Sequence, residues 1–122
     1  LPPLPVAFDP DLKGYKDMVS MMGGSGDHVS PNIAKAQALK DATMAYYILQ
    51  NRKRGQLMLH FNGTYHSNNF EGIIWYIRLS EPDLKIMTIA SVEQDTVEVL
   101  KEENLNLANF TICIPEDMGK SY

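Results

Sequence analysis

The stretch Leu57-Met58-Leu59-His60-Phe61-Asn62-Gly63-Thr64-Tyr65-His66-Ser67 decides how the rest of the chain is read. Residues 57–61 are an apolar run with the length of a buried strand, and Asn62-Gly63 is a dipeptide that stops one. Beyond the stop comes a polar loop with the pattern Gly63-x-x-His66. In open α/β sheets, ligands collect in the crevice past the carboxyl ends of the strands. The loop is therefore the first place to look for a site, although its position names no reaction.

Working outward toward the C-terminus, residues 72–79 read as a short helix, nearly apolar all round through Ile73, Ile74, Trp75, Tyr76 and Ile77, with Trp75 and Tyr76 read as core. Glu81-Pro82 stops it, and residues 84–90 follow as a second strand. Strand, helix and strand over residues 57–90 make a βαβ unit, which pairs its strands in parallel. Residues 94–103 are a short helix or an irregular connection, and residues 110–114 are a third strand.

Toward the N-terminus, Ser30-Pro31 is a helix start, with serine as cap and proline in the first turn. This helix runs to about Lys53 and stops at Gly55, with Ala38, Leu39, Ala42, Ala45, Tyr46 and Leu49 as its core stripe. Gln37 and Asp41 lie one turn apart beside that stripe, so if partly buried they need partners. Residues 11–22 form a shorter helix through Leu12, Tyr15, Met18, Val19 and Met22. A glycine-rich loop over residues 23–28 carries His28. Residues 1–10 hold four of the seven prolines and read as an extended linker ahead of a domain over residues 11–122.

The class that results is α/β, with a partial parallel or mixed sheet of about three strands and covering helices. Parallel sheets need cover on both faces and protection at their edges. Three strands supply neither, so a missing N-terminal segment or a partner is expected to complete the sheet. The chain opens on Leu1-Pro2-Pro3-Leu4-Pro5 rather than on methionine or a signal peptide, which reads as a processed chain or a fragment.

Composition narrows the function classes. Eleven Lys and Arg stand against 15 Asp and Glu, and the one basic cluster, Arg52-Lys53-Arg54, suits a helix C-terminus, so nucleic-acid binding is set aside. No run of 18 apolar residues exists to span a membrane as a helix. A lone cysteine, Cys113, makes no internal disulfide and reads as a small buried hydrophobe in the third strand.

Several separated blocks together resemble a known family. Ala36-Gln37, Asp41, Thr43-Met44-Ala45, Leu59 through Ser67, Gly72-Ile73-Ile74-Trp75-Tyr76 and Leu84-Lys85-Ile86-Met87-Thr88-Ile89 look like the C-terminal half of the ChaN-like haem-binding family of bacterial envelope proteins. The resemblance extends over roughly residues 14–120 and implies an α/β sheet with helical cover. It further implies haem binding for iron acquisition in the periplasm or as an outer-membrane lipoprotein, a tyrosine ligand to iron, and a homodimer around stacked haems. The chain is also distantly similar to Tiki-type metalloproteases and erythromycin esterases, which place one G-x-x-H element in each half. Only the second is present here, so the chain alone is read as a binding protein more than an enzyme. The alternatives are a metal-dependent hydrolase or peptidase half-site, in which His66 ligates a divalent ion, and a noncatalytic interaction domain.

Within that reading, His66 is the leading cofactor-binding residue, with Tyr65 beside it and Asn62 and Gly63 shaping the loop. Side-chain alternation in an extended backbone argues against Tyr65 and His66 sharing one pocket. Asp41 and Gln37 are expected behind His66, where they would fix its tautomer. Met22 and His28, with Met18 and Met21, offer a thioether-rich lid over an apolar ligand, set against simple core packing. His60 is expected to be a satisfied core histidine.

Overall fold

The computed structural model of the chain describes residues 2–22 and 32–121, residue 22 by its backbone alone. The Ser30-Pro31 helix start, the glycine loop, His28 and the Met22 side chain lie outside the described residues. The elements are α1 (Lys13–Met22), α2 (Asn32–Asn51), α3 (Ile73–Ser80), β1 (Ile89–Gln94) and β2 (Phe110–Pro115), with single 3-10 turns at Thr64–His66, Asn68–Phe70 and Glu102–Asn104.

The core forms where α1 and α3 meet α2. Ala34, Ala38, Ala42 and Ala45 recur at helical spacing along α2 and are buried against Tyr15 of α1 and Ile73, Tyr76 and Ile77 of α3. Small side chains on the central helix let the larger ones from both neighbours approach its backbone closely. The buried stripe is rotated from the one expected: Leu39 is exposed, while Ala34 and Asp41 are inside. Past the end of α2, Gly55 adopts a left-handed φ of 79°, which only glycine takes at little cost, and the chain turns away there. Arg52 pairs with Glu81, fastening this end of α2 to the end of α3.

Residues 2–10 form no regular element, and part of this stretch packs onto the core. Val6, Phe8 and Leu12 lie against the core, the Phe8 and Tyr15 rings are 5.6 Å apart, and the Tyr76 hydroxyl donates to the Ala7 carbonyl at 2.6 Å.

The sheet is parallel and partial, as the α/β class requires. Among the described residues it has two strands, β1 and β2, in a register that sets Ile89 opposite Phe110 and Val92 opposite Cys113. The strand expected at 84–90 is displaced toward the C-terminus. Leu84 and Ile86 are spent on packing against the helical core, and pairing starts only where Phe110 N donates to the Thr88 carbonyl at 3.1 Å. Gln94 closes β1, fully buried. Its amide donates to Thr96 and Val99 carbonyls at 2.8 and 3.0 Å and accepts from Lys101 N and Asn104 Nδ2 at 3.0 and 2.9 Å. One side chain thereby holds the connection to β2 in shape. Cys113 is half-buried rather than deep in a core.

The run 57–61 departs most from expectation. It enters no ladder with any described residue, and Leu57, Leu59 and Phe61 are 98%, 72% and 85% exposed. Met58 and His60 instead line a shallow groove with Met44, Tyr47 and Ile48 of α2, and His60 is exposed rather than a core histidine. The side chains alternate as in a strand, but no described strand lies beside it. A parallel sheet needs that neighbour, and the described residues do not contain it.

Candidate functional site

The Gly63-to-Gly72 loop is held from three sides. Within it, Asn62 Nδ2 donates to the Gly63 carbonyl at 2.8 Å and to Ser67 Oγ at 3.1 Å, and His66 N donates to the Gly63 carbonyl at 3.0 Å. Asn69 N donates to the Leu107 carbonyl at 2.9 Å, tying the loop to the connection between the two strands. Glu71 reaches α1, where its two carboxylate oxygens accept from the backbone N–H of Lys13 at 3.2 Å and of Gly14 at 3.0 Å. Those donors are left without partners inside a helix, and a carboxylate there also suits the helix dipole.

The third attachment is to α2. His66 Nδ1 lies 2.5 Å from Asp41 Oδ1, and the Gln37 amide sits against the same ring nitrogen at 2.9 Å. Nδ1 carries one hydrogen at most, and given to Asp41 it leaves Gln37 as a flanking neighbour. Asp41 is 0% exposed, and its other oxygen, Oδ2, accepts from the Tyr15 hydroxyl at 2.7 Å. Burial raises the Asp41 carboxyl above the ordinary carboxylate range, and the hydrogen bonds from His66 and Tyr15 pull it part of the way back. Burial, then the bond to Asp41, pushes the Tyr15 phenol well above its usual range, so it stays protonated and a donor.

Gly72 makes this closeness possible. It adopts φ 57°, and a Cβ there would collide with the His66 carbonyl and crowd Asp41 Oδ2 at 3.2 Å. Glycine is required on both counts.

Beside this cluster lies a cavity of about 560 Å³ between α1, α2 and the loop, within the range of small-molecule and cofactor sites. Met18, Met21, Ile33, Ala36 and Leu107 give it apolar walls, Lys13 and Lys40 bring cations to it, and Tyr65 stands at its edge. Gln37, which touches the His66 ring, and Gly72 also line it. The alternation argument against Tyr65 and His66 does not apply, because residues 64–66 form a 3-10 turn rather than extended backbone. Tyr65 faces the cavity, and His66 turns back toward α2.

Of the residues singled out in the sequence, His66, Asp41 and Gln37 come together, Tyr65 and Gln37 line the cavity beside them, and Asn62 and Gly63 shape the turn without lining the cavity. Tyr15, Glu71, Gly72 and the two lysines were not singled out. Tyr15 carries the only available signal: a tyrosine in an apolar helix stripe brings a hydroxyl that needs a partner when buried. Among the described residues, no three His, Cys, Asp or Glu side chains converge as a metal-holding group. No helix among them is long and apolar enough to cross a membrane.

The sequence model of a family described as "Haem-binding uptake, Tiki superfamily, ChaN" matches residues 1–77, more than half of the chain. The chain belongs to that family. The match takes in the proline-rich start and ends within α3, short of the two paired strands. Neither the curated proteins nor the solved structures contain a match to the chain.

Proposed function

We propose that this member of the ChaN haem-binding uptake family binds haem as its cargo in the cavity between α1 and α2, in the service of iron acquisition at the bacterial cell envelope. The observation that carries this reading is positional. Every residue lining the cavity except Leu107 falls within the part of the chain that matches the family.

The residues present fit such a cargo. A porphyrin needs apolar walls, supplied by Met18, Met21, Ile33 and Ala36, and thioether side chains adapt readily to a flat ring. Its carboxylate edge needs cations, supplied by Lys40 and by Lys13, whose ammonium also pairs with Asp17 at the cavity wall. Tyrosine is a known axial ligand of haem iron, and Tyr65 stands at the edge. Bound haem would bring the iron and two anionic groups; the chain supplies the slot, the cations and the ordered loop.

Two features support a larger assembly. Met21 and Tyr65 are 73% and 70% exposed, so one side of the slot is open for a second copy of the chain in a homodimer. The 57–61 run has a strand's alternation without a ladder, which suits pairing with a further N-terminal segment of the same protein. A periplasmic or lipoprotein location follows from the same reading.

Titration of the full-length protein with haemin tests it. A saturable Soret shift is expected, with weaker binding after Met18→Lys and an altered spectrum after Tyr65→Phe. A featureless, nonsaturable response would sink the reading.

A further inference from the structure

We infer that Tyr15 is a positioning residue for His66, acting through Asp41 to fix the imidazole in the tautomer that carries its hydrogen on Nδ1 and presents a bare Nε2. This deepens the haem reading above and rests on it for its purpose, though not for its geometry.

The chain of contacts runs across three separate elements. Tyr15 on α1 donates to Asp41 Oδ2 at 2.7 Å, and Asp41 on α2 holds His66 Nδ1 of the loop at 2.5 Å through its other oxygen. A carboxylate is an acceptor at both oxygens when ionised, so two donors can share it without competing. Tyr15 is buried, and although its hydroxyl also interacts with that of Tyr76, the Asp41 carboxylate at 2.7 Å is the stronger acceptor and takes its hydrogen.

Removing that donor changes what Asp41 can do. Oδ2 would be left in a dry pocket without a hydrogen bond, and the carboxylate would regain its freedom to turn about its own axis. Either change loosens the oxygen that faces His66. The tautomer of an imidazole is set by what its other nitrogen bonds to, so a loosened Asp41 no longer specifies where the hydrogen sits. Gln37 cannot take over, because the atom it sets against Nδ1 is its amide nitrogen, a donor that favours a bare Nδ1 and so opposes the tautomer Asp41 holds.

A merely structural Tyr15 would give the same burial without this effect, and the two roles separate spectroscopically. In the ¹⁵N-labelled full-length protein without haem, the His66 ring is expected to show one protonated and one bare nitrogen, with the proton on Nδ1. Tyr15→Phe should convert this to an averaged pattern of two tautomers, as should Asp41→Asn. Phe8→Leu, which changes the packing on the Tyr15 ring and leaves its hydroxyl in place, should leave the pattern intact. A folded Tyr15→Phe protein that keeps the single Nδ1–H tautomer overturns the inference. So does an equal loss in Phe8→Leu, which would trace the effect to packing. Should Tyr15→Phe fail to fold, the unmodified protein still decides: a His66 ring protonated on Nε2, or already mixed, is incompatible with the assignment. No haem enters the measurement, so a failed haemin titration and a failed tautomer assignment are separate results.

Discussion

At the scale of single residues, the site depends on what a buried carboxylate demands of its surroundings. Asp41 carries two hydrogen bonds in a place that water does not reach. Asp41→Ala would strand the Tyr15 hydroxyl and the His66 ring donor together, at roughly 1–3 kcal/mol for each donor left unpaired. Urea denaturation should show the loss, with Asp41→Asn costing less because one acceptor survives. Gly72→Ala acts by another route. It imposes a Cβ on a left-handed backbone and drives it into the His66 carbonyl, for a cost of about 1–3 kcal/mol in the same assay. Tyr15 also makes stability depend on pH in the alkaline range. Its phenol lies above the ordinary value of 10.0 in the folded protein, so the unfolded chain loses that proton first as pH rises. The unfolded state then binds fewer protons than the folded one, and stability falls with pH. The Tyr15 contribution is fully present below pH 10.0 and declines above it, with Tyr76, also raised by burial, adding to the slope. Thermal melts across the alkaline range should steepen in this way for the unmodified protein and flatten in Tyr15→Phe.

At the scale of elements, the loop from Gly63 to Gly72 joins α1 to α2, and Glu71 is its grip on α1. Glu71→Ala removes the acceptor for the first N–H groups of that helix, a loss of ~1 kcal/mol by analogy with helix caps. Hydrogen exchange should show faster exchange at Lys13 and Gly14 than in the unmodified protein, with α3 unaffected. The elements also divide by how far the sequence alone reveals them. α2, α3 and β2 lie close to their expected positions because local signals define them: helical spacing, a proline stop after Ser80, and an apolar run closed by Pro115. β1 begins five residues later than its expected start at 84, because strand limits depend on the partner, and Leu84 and Ile86 have a competing use on the helical core. Asp41 stood out in the sequence as a carboxylate beside a core stripe, but its partner on α1 did not, since 26 residues separate it from Tyr15 and no periodicity links them. Met18, Met21, Gln37 and Tyr65 of the cavity lining stood out in the sequence, but the enclosure itself was not legible, because its walls come from two helices, the loop and Leu107.

At the scale of the whole molecule, the run 57–61 governs how the chain associates. Its odd-numbered side chains are exposed and its even-numbered ones lie along α2, which is the arrangement of a strand covered on one face only. Extended apolar segments with free backbone donors and acceptors recruit other strands, and natural edges are usually blunted by charge or proline. Leu57 through Phe61 contains neither a proline nor an acidic or basic side chain other than His60. The 122-residue chain on its own should therefore self-associate through this segment, and light scattering coupled to size exclusion should show mass rising with concentration. Replacing Leu57, Leu59 and Phe61 with lysine should return it to a monomer. Those three side chains pack against nothing described here, so the helical circular dichroism should persist and each change should shift stability by no more than about 0.5 kcal/mol. A monodisperse monomer from the unmodified chain at high concentration would contradict the open-edge reading, and with it the support that this segment lends to a completing N-terminal half. The full-length protein separates the two sources of a partner. If a further segment of the same protein pairs with residues 57–61, the lysine changes should unfold or destabilise it by several kcal/mol, because they would then place charges in a buried sheet.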